Sequence, residues 1–226
     1  MHVDVAFTPD EAVSAPVGIV VDVLRVTSTI AQALAAGYEQ ILCCAEIEEA
    51  RALRRELSDS LVGGERNAQR IEGFDVGASP REFLEARAQT LILSTTNGTR
   101  AILAAASQCG EVLLGSLLNL AAVVNAARER GEDVAIICAG FKGAFALDDA
   151  YCAGRIVQLL GAERSDAAIA AELVANAYPD AEAGLKARTY GPAGLEEDIA
   201  FCACVDALDV VPGLSGMVGT AAEIRA

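Results

Sequence analysis

The sequence has no tryptophan, a single histidine and few aromatic residues, and each scarcity removes a class of function. Aromatic residues make up 4% of the 226 residues, so alanine and valine must supply most of the packing. The single histidine, His2, stands at the N-terminus. A Ser-His-Asp triad, a histidine nucleophile and a metal site built from several histidines are therefore excluded.

Several motifs with a known mechanism are also missing. No CxxC pair occurs among the seven cysteines, which argues against a zinc or redox site and favours free thiols in a reducing cytoplasm. The GxxxxGK[ST] and GxGxxG phosphate loops and the GxSxG nucleophile elbow are absent. The N-terminal residues lack the pattern of a signal peptide, and no apolar run reaches the length of a membrane span.

Positive charge is scarce in this chain. There are 32 acidic residues against 17 lysines and arginines, which gives a formal net charge of −15. Such a surface repels nucleic acid and anionic membranes, so neither is an expected partner. The positions of the few basic residues are informative for the same reason.

Short apolar runs alternate with helical patterns along the chain, which predicts an α/β sandwich. Because no linker is evident, residues 1–226 are interpreted as one domain that could have two lobes. The predicted strands are Val3–Phe7, Val17–Leu24, Gln40–Cys44, Ser60–Gly63, Thr90–Ser94, Glu111–Leu114, Asp133–Cys138 and Ala207–Pro212. The predicted helices are Thr27–Ala36, Ile47–Leu57, Pro80–Ala86, Gly98–Ala106, Leu120–Arg130, Leu147–Leu160, Ser165–Ala177 and Gly194–Cys204, with a polar loop over Tyr178–Gly194.

Four segments follow predicted strands and could carry chemistry, because ligands bind at the carboxyl ends of strands in open α/β sheets. In the first, Thr27 and Ser28 offer hydroxyls at a predicted helix N-terminus, and Arg25 offers a planar fork for phosphate or carboxylate. Asp22 could hold a cation at the same place. A Ser/Thr cap beside a structural Asp–Arg pair is the alternative interpretation.

The second segment is the long loop 63–80, which contains two clusters of glycine. Loops of this length in a compact domain tend to be functional. Glu65 and Arg66 directly follow the paired glycines, and they are site candidates unless they form an exposed surface pair.

The third segment, Ser94–Arg100, repeats the first, with hydroxyls, a helix start and an arginine. Thr96 or Asn97 is the expected cap, and Gly98 would let a ligand approach the backbone closely. Capping accounts for the hydroxyls but not for arginines after two separate strands.

The fourth segment places Lys142 between two glycines and opens a helix with Asp148 and Asp149. Either acid could bind Mg²⁺, which prefers carboxylate oxygens. Adjacent acids at a helix start can also serve the helix dipole alone.

Together the four segments place cations for a polyanionic substrate beside carboxylates for a metal, which is the inventory of metal-assisted phosphoryl chemistry. The predicted catalytic residues are Asp22, Glu65 and Asp149. The predicted metal ligands are Asp22, Glu65, Asp148 and Asp149. The predicted substrate-binding residues are Arg25, Thr27, Ser28, Arg66, Asn67, Thr96, Asn97, Gly98, Thr99, Arg100 and Lys142.

Several stretches resemble the 2-phosphosulfolactate phosphatase (ComB) family, in the same order and over nearly the whole chain. They are Val21–Ile30, Gly63–Asn67, Gly73–Pro80, Thr95–Ala101, Gly115–Asn119, Asp148-Asp149, Ala153-Gly154, Asp198–Cys202 and Val210–Pro212. The resemblance implies a three-layer α/β/α fold with a largely parallel or mixed sheet, and a Mg²⁺-dependent phosphatase. It also implies a substrate, the phosphate ester of sulfolactate on the route to coenzyme M, that carries phosphate, sulfonate and carboxylate groups.

Four positions depart from the family pattern and leave the substrate open. Val26 replaces a usual Ala, Ala68 a common Gly, Ala78 an Asn and Asp148 a Glu. Another phosphorylated 2-hydroxy acid is therefore an alternative substrate, and either water or Asp22 could attack the phosphorus. A non-catalytic small-anion-binding protein and a lyase acting on a phospho-acid are the rival functions. The sequence permits a homodimer without indicating one.

Overall fold

Eleven strands form one mixed sheet in the computed structural model, which describes residues 1–190 and 195–226. The strands are β1 (His2–Ala6), β2 (Val17–Val21), β3 (Gln40–Cys44), β4 (Ser60–Arg66), β5 (Gln69–Arg70), β6 (Thr90–Ser94), β7 (Glu111–Gly115), β8 (Val134–Cys138), β9 (Glu163–Arg164), β10 (Gly213–Val218) and β11 (Ala221–Arg225). The helices are α1 (Val26–Ala35), α2 (Ile47–Glu56), α3 (Gly98–Gln108), α4 (Leu120–Arg130), α5 (Leu147–Leu160), α6 (Asp166–Asn176), α7 (Ala181–Lys186) and α8 (Glu196–Cys202).

The strand order is β5-β4-β6-β3-β11-β10-β7-β2-β8-β1-β9. Two groups of parallel strands, β4-β6-β3 and β7-β2-β8-β1-β9, account for most of the sheet. The hairpin β10–β11 lies between them and pairs antiparallel with β3 on one side and with β7 on the other. The sheet is therefore mixed, one of the two forms predicted.

Helices cover both faces of the sheet. On one face, Ile30 of α1 and Ile102 of α3 share an apolar cluster with Val20 of β2 and Leu93 of β6. On the other face, residues of α4, α5 and α6 pack on β2, β8 and β1, while α2 packs on β3, β4 and β6. This layering confirms the predicted α/β/α sandwich. Within the described part of the chain, no helix combines the length and the apolar character that crossing a membrane requires.

The seven cysteines are all free, as predicted, and five of them are buried. Burial raises the pKa of the Cys44 and Cys202 thiols to about 12. These side chains are therefore protonated at neutral pH and pack as small apolar groups.

Two predicted elements are wrong in extent. The helix predicted over Pro80–Ala86 is only a 3₁₀ turn at Pro80–Phe83. It stops because the Phe83 carbonyl accepts a hydrogen bond from Gln32 Nε2 (3.3 Å) rather than from a further helical turn. The predicted loop Tyr178–Gly194 contains α7, whose first turn is capped by the Asp180 carboxylate accepting from Ala183 N (2.8 Å).

The predicted late strand Ala207–Pro212 is also wrong, because its backbone bonds mainly to the β7–α4 loop and meets β7 only at its end, where the Pro212 carbonyl accepts from Leu114 N (2.8 Å). Leu208 N donates to the Leu118 carbonyl (2.8 Å), and the Val210 carbonyl accepts from Asn119 Nδ2 (3.0 Å). The hairpin β10–β11 follows and was not predicted, since its glycines and serine have weak strand propensity. The helix predicted from Gly194 begins at Glu196, and Gly194 itself lies outside the described residues.

The two-residue turn between β4 and β5 generates a stability prediction. Asn67 and Ala68 at its centre have φ of 54° and 60°, the backbone of a type I′ turn, which favours Asn-Gly. We expect Ala68→Gly to raise the free energy of unfolding by about 0.5–1 kcal/mol, because it removes the Cβ clash of the left-handed region. Denaturant titration of the two proteins measures this difference.

The matched control is Ala35→Gly, at an exposed position within α1. There the same exchange should lower the free energy of unfolding by about 0.5–1 kcal/mol, because helical backbone favours alanine. Equal destabilisation at both positions would contradict the assignment of strain to Ala68.

Candidate active site

A cavity of about 310 Å³ lies where the loops after β2, β4, β6 and β8 meet. Residues between α7 and the start of α8 complete its wall. The predicted site residues on the wall are Asp22, Arg25, Glu65, Asn67, Thr96, Asn97 and Lys142. The remaining lining residues are Leu24, Val26, Ala68, Ala78, Phe141, Arg188, Tyr190 and Leu195. The structure thus joins parts of all four predicted segments in one concave site.

Asp22 directly follows the last residue of β2 and is buried, with 6% of its surface exposed. Its Oδ1 accepts from Val26 N (3.3 Å), and its carbonyl accepts from both Thr27 N and Thr27 Oγ1 (2.9 Å each). Its Oδ2 faces the start of α3, where a Cβ on Gly98 would lie 2.6 Å away. A side chain at position 98 would clash with the carboxylate, so glycine there lets α3 begin this close to Asp22.

The electrostatic environment of Asp22 disfavours its charge. The pKa of the carboxyl is raised to about 7, mainly by burial and also by the Asp148 and Glu65 charges, while the Val26 hydrogen bond and Arg25 act in the opposite direction. A carboxyl with a pKa near neutrality can both release and accept a proton, which suits general acid–base chemistry.

Glu65 is fixed by the backbone at both carboxylate oxygens. Its Oε1 accepts from Thr96 N (2.8 Å) after β6, and its Oε2 accepts from Ala68 N (2.6 Å) in the β4–β5 turn. The side chain therefore ties two neighbouring loops together while remaining on the cavity wall. Thr96 Oγ1 is buried beside it, with no hydrogen-bond partner in the described structure.

Asp148 and Asp149 stand behind the cavity wall rather than on it. Asp149 accepts from Val23 N (2.9 Å) and Gly140 N (3.0 Å), one bond at each oxygen, and so clamps the loop after β2 to the loop after β8. Asp148 Oδ1 accepts from the Tyr190 hydroxyl and from Asp149 N. Burial raises the pKa of both carboxyls, and their mutual repulsion adds to the effect on Asp149.

Lys142 reaches the cavity from a tight turn. Phe141 and Ala144 exchange backbone hydrogen bonds of 2.9 and 3.1 Å across it. Lys142 N also donates to Asn97 Oδ1 (3.2 Å), which joins the turn to the start of α3. The ammonium group lies 5.4 Å from the Phe141 ring centroid, on a solvent-exposed side chain.

Arg188 and Tyr190 form the wall that the sequence did not predict. Arg188 donates to the Tyr190 carbonyl (2.9 Å), and the Tyr190 ring stacks on Phe141 with centroids 4.5 Å apart. No motif marks this stretch, which reads as a polar loop. A cationic and an aromatic residue two positions apart, in a chain poor in both types, were the available signal.

Two predicted substrate-binding arginines do not reach the cavity. Arg66 donates to the carbonyls of Glu65 (2.8 Å) and Ala45 (3.0 Å) and to Ser94 Oγ (3.0 Å), so it holds the end of β4 in place. Arg100 is exposed and pairs with Asp10 at 3.2 Å. Of the three arginines predicted to converge, only Arg25 lies on the wall.

Three of the four predicted hydroxyl residues do not line the cavity. Ser28 Oγ donates to the Val23 carbonyl (2.8 Å), and Thr99 Oγ1 is hydrogen-bonded to Thr95 Oγ1 (3.2 Å). Together with Thr27, these residues are buried and shape the turns that lead into α1 and α3. The hydroxyls of the first segment donate to carbonyls, and the N-cap residue of α1 makes no capping hydrogen bond with its side chain, so the Ser/Thr cap of the alternative interpretation is not formed either.

Known proteins resemble this chain over almost its full length. The family model of the 2-phosphosulpholactate phosphatases matches residues 5–216. The chain belongs to this family. A probable 2-phosphosulfolactate phosphatase of Thermus thermophilus is 41% identical over 233 residues, which cover 98% of each chain. Proteins of the same printed name from Caldanaerobacter subterraneus and Thermotoga maritima are each 38% identical, over 91% and 94% of this chain and 90% and 95% of theirs. Membership in the 2-phosphosulfolactate phosphatase family makes the chain a phosphatase, as predicted.

The acidic residues of this phosphatase suit Mg²⁺ in one binding mode only. Among the described residues, no group of three His, Cys, Asp or Glu side chains is placed to hold a metal ion. Asp149 and Glu65 already accept backbone hydrogen bonds at both oxygens, which leaves Asp22 Oδ2 as the least committed carboxylate oxygen on the wall. Mg²⁺ commonly binds through one or two carboxylates and completes its shell with water and substrate phosphate. Asp22 fits that mode, and Glu65 fits it only through a second lone pair on an oxygen that already accepts a hydrogen bond.

The buried Asp22 generates a prediction of how stability depends on pH. Its folded pKa of about 7 lies above the ordinary 3.8, so its contribution is complete below pH 4 and is lost as the pH rises through 7. In a chelating buffer we expect Asp22→Asn to raise the free energy of unfolding at pH 8 by about 1–4 kcal/mol relative to wild type. The gain should disappear near pH 4.

Urea titrations across this pH range measure the effect, with Asp209→Asn as the control because Asp209 is exposed. The control should show no such trend. A gain for Asp22→Asn that stayed constant with pH would contradict the assigned titration.

Proposed function

We propose that this phosphatase hydrolyses the phosphate ester of a small polyanionic 2-hydroxy acid with the help of Mg²⁺, and that the substrate is 2-phosphosulfolactate. The observation that carries the proposal is the meeting of Arg25, Lys142 and Arg188 with Asp22 and Glu65 around one cavity. The product, sulfolactate, would enter the route to coenzyme M, and the free thiols suit a cytoplasmic location.

The size and charge of the cavity support a small anion. Its volume of about 310 Å³ is at the lower end of the range for small-molecule sites. Three cations line it in a chain of net charge −15. The phosphate, sulfonate and carboxylate groups of the ester match the three cations in number, which supports the trianionic ester over a simple monoanion.

The acids that line the same cavity support hydrolysis rather than binding alone. A pKa near 7 supports Asp22 as the group that takes a proton from an attacking water. Glu65 is held rigidly by two backbone N–H groups and keeps the Thr96 region aligned with the turn after β4. Mg²⁺ bound at Asp22 and Glu65 would supply the charge stabilisation that phosphoryl transfer needs. Because the sequence lacks the DxDxT arrangement of the best-known aspartyl phosphatases, we favour attack by water over an aspartyl phosphate.

The direct test of the proposed function is phosphate release from 2-phosphosulfolactate by the purified protein. We expect release in Mg²⁺, loss of release in chelator and recovery when Mg²⁺ is restored. Binding of the ester without release would favour the non-catalytic anion-binding alternative. An unsaturated product, identified by mass spectrometry, would favour a lyase. Faster release from another phosphorylated 2-hydroxy acid would reassign the substrate.

Two substitutions, each of which removes one positive charge, compare a residue on the cavity wall with a residue outside it. Lys142→Ala should lower kcat/KM several-fold, because it removes a positively charged side chain from the residues that line the cavity. Arg100→Ala removes the same charge at an exposed position paired with Asp10, and it should leave kcat/KM within a factor of about two, as expected for surface pairs. Steady-state kinetics at two ionic strengths compares them, and equal losses would point to a general field effect instead.

A further inference from the structure

Asp198, a residue of α8 that is distant from Arg25 in the sequence, reaches the cavity through the Arg25 side chain. Its Oδ2 accepts from Arg25 Nη1 at 2.7 Å. The two side chains are 6% and 10% exposed, so this is a buried ion pair, and Asp198 itself does not line the cavity.

The Asp198 carboxylate is held at its second oxygen as well. Oδ1 accepts from Ser79 Oγ at 2.6 Å, and the Arg81 guanidinium lies 3.7 Å away. The carboxylate is therefore fixed by the 3₁₀ turn and its flanking loop, and it in turn fixes one edge of the Arg25 guanidinium. Directional hydrogen bonds of this kind set the orientation of an arginine fork.

Arg25 retains donors for a ligand after this pairing. Within the described structure, only Nη1 of its guanidinium has a hydrogen-bond acceptor. Arg25 itself lines the cavity, so its Nε and Nη2 groups can donate to a ligand bound there. The carboxylate also offsets part of the positive charge of Arg25, and removing it would leave a buried, unpaired cation.

We infer that Asp198 is a positioning residue, which aims the Arg25 guanidinium at the substrate and limits how tightly the resting site holds anions. This inference rests on the proposed function, in which Arg25 binds an anionic group of the ester. It differs from a purely structural role in one respect. Loss of the carboxylate charge strengthens the binding of a simple anion while turnover falls.

The test measures two quantities for Asp198→Asn, which keeps the shape and loses the charge. Calorimetric titration with inorganic phosphate in Mg²⁺ should show binding several-fold tighter than in wild type. Steady-state hydrolysis should show kcat lowered several-fold. Phosphate should also raise the thermal midpoint of this variant more than that of wild type, because the anion takes the place of the missing partner.

Glu197→Gln is the matched control, since Glu197 is the exposed neighbour of Asp198 and pairs with Arg81 at 2.5 Å. It should leave phosphate affinity and kcat unchanged. Arg25→Gln should weaken phosphate binding, which separates loss of the anion donor from loss of its partner. Wild-type values for Asp198→Asn, or weakened phosphate binding as in Arg25→Gln, would overturn the inference.

A second variant keeps the inference testable if Asp198→Asn does not fold. Ser79→Ala removes the hydroxyl that orients Asp198 and leaves the ion pair charged. It should lower kcat with little change in phosphate affinity, and an unchanged kcat would count against positioning. If wild type binds phosphate but releases none from any ester, the proposed function fails. The phosphate affinities of wild type and Asp198→Asn can still be compared, and they still test whether Asp198 limits anion binding.

Discussion

The structure depends on carboxylates that are buried or half-buried at one end of the sheet and satisfied by backbone N–H groups. Asp149 joins the loop after β2 to the loop after β8, and Glu65 joins the turn after β4 to the end of β6. In each case one of the two bonds crosses between segments that are distant in sequence, from Val23 N to Asp149 and from Thr96 N to Glu65, so the acids hold the loops together in two pairs. Burying charge is unfavourable unless it is hydrogen-bonded, and the loops provide these bonds only when they converge. The same side chains therefore specify the fold of the loops and supply the chemistry of the cavity.

How far the sequence predicts this site follows from the geometry of strand ends. Asp22, Arg25 and Lys142 were predicted because polar residues directly after buried strands meet at a common edge. Arg66 and Arg100 satisfy the same rule along the chain, yet Arg66 turns back to the Ala45 carbonyl and Arg100 turns outward to Asp10. Sequence position fixes where a backbone emerges, but the direction of a long side chain depends on partners elsewhere in the fold.

The wall formed by Arg188 and Tyr190 shows the other limit of sequence reasoning. These residues follow α7, itself unpredicted, and reach the cavity through tertiary packing of Tyr190 on Phe141. Asp198 has the same character, since its partner Arg25 lies 173 residues away. The hairpin β10–β11 was missed because its residues have low strand propensity, and its pairing with both neighbouring strands overrides that preference. In each case the deciding contact is long-range, and local pattern carries no trace of it.

The balance of charge in the cavity bears on the proposal that a cation and a phosphate ester bind together. Burial, and to a lesser extent the Asp148 and Glu65 charges, raise the pKa of Asp22, so its carboxyl is readily protonated. A bare phosphate would meet these acids, and a bare cation would meet Arg188 and Lys142. A cation and a phosphate ester that arrive together neutralise both sets, and each then raises the affinity for the other by the same factor. On this view the acidic excess is a source of selectivity, because small anions that bind without a cation gain little from the site.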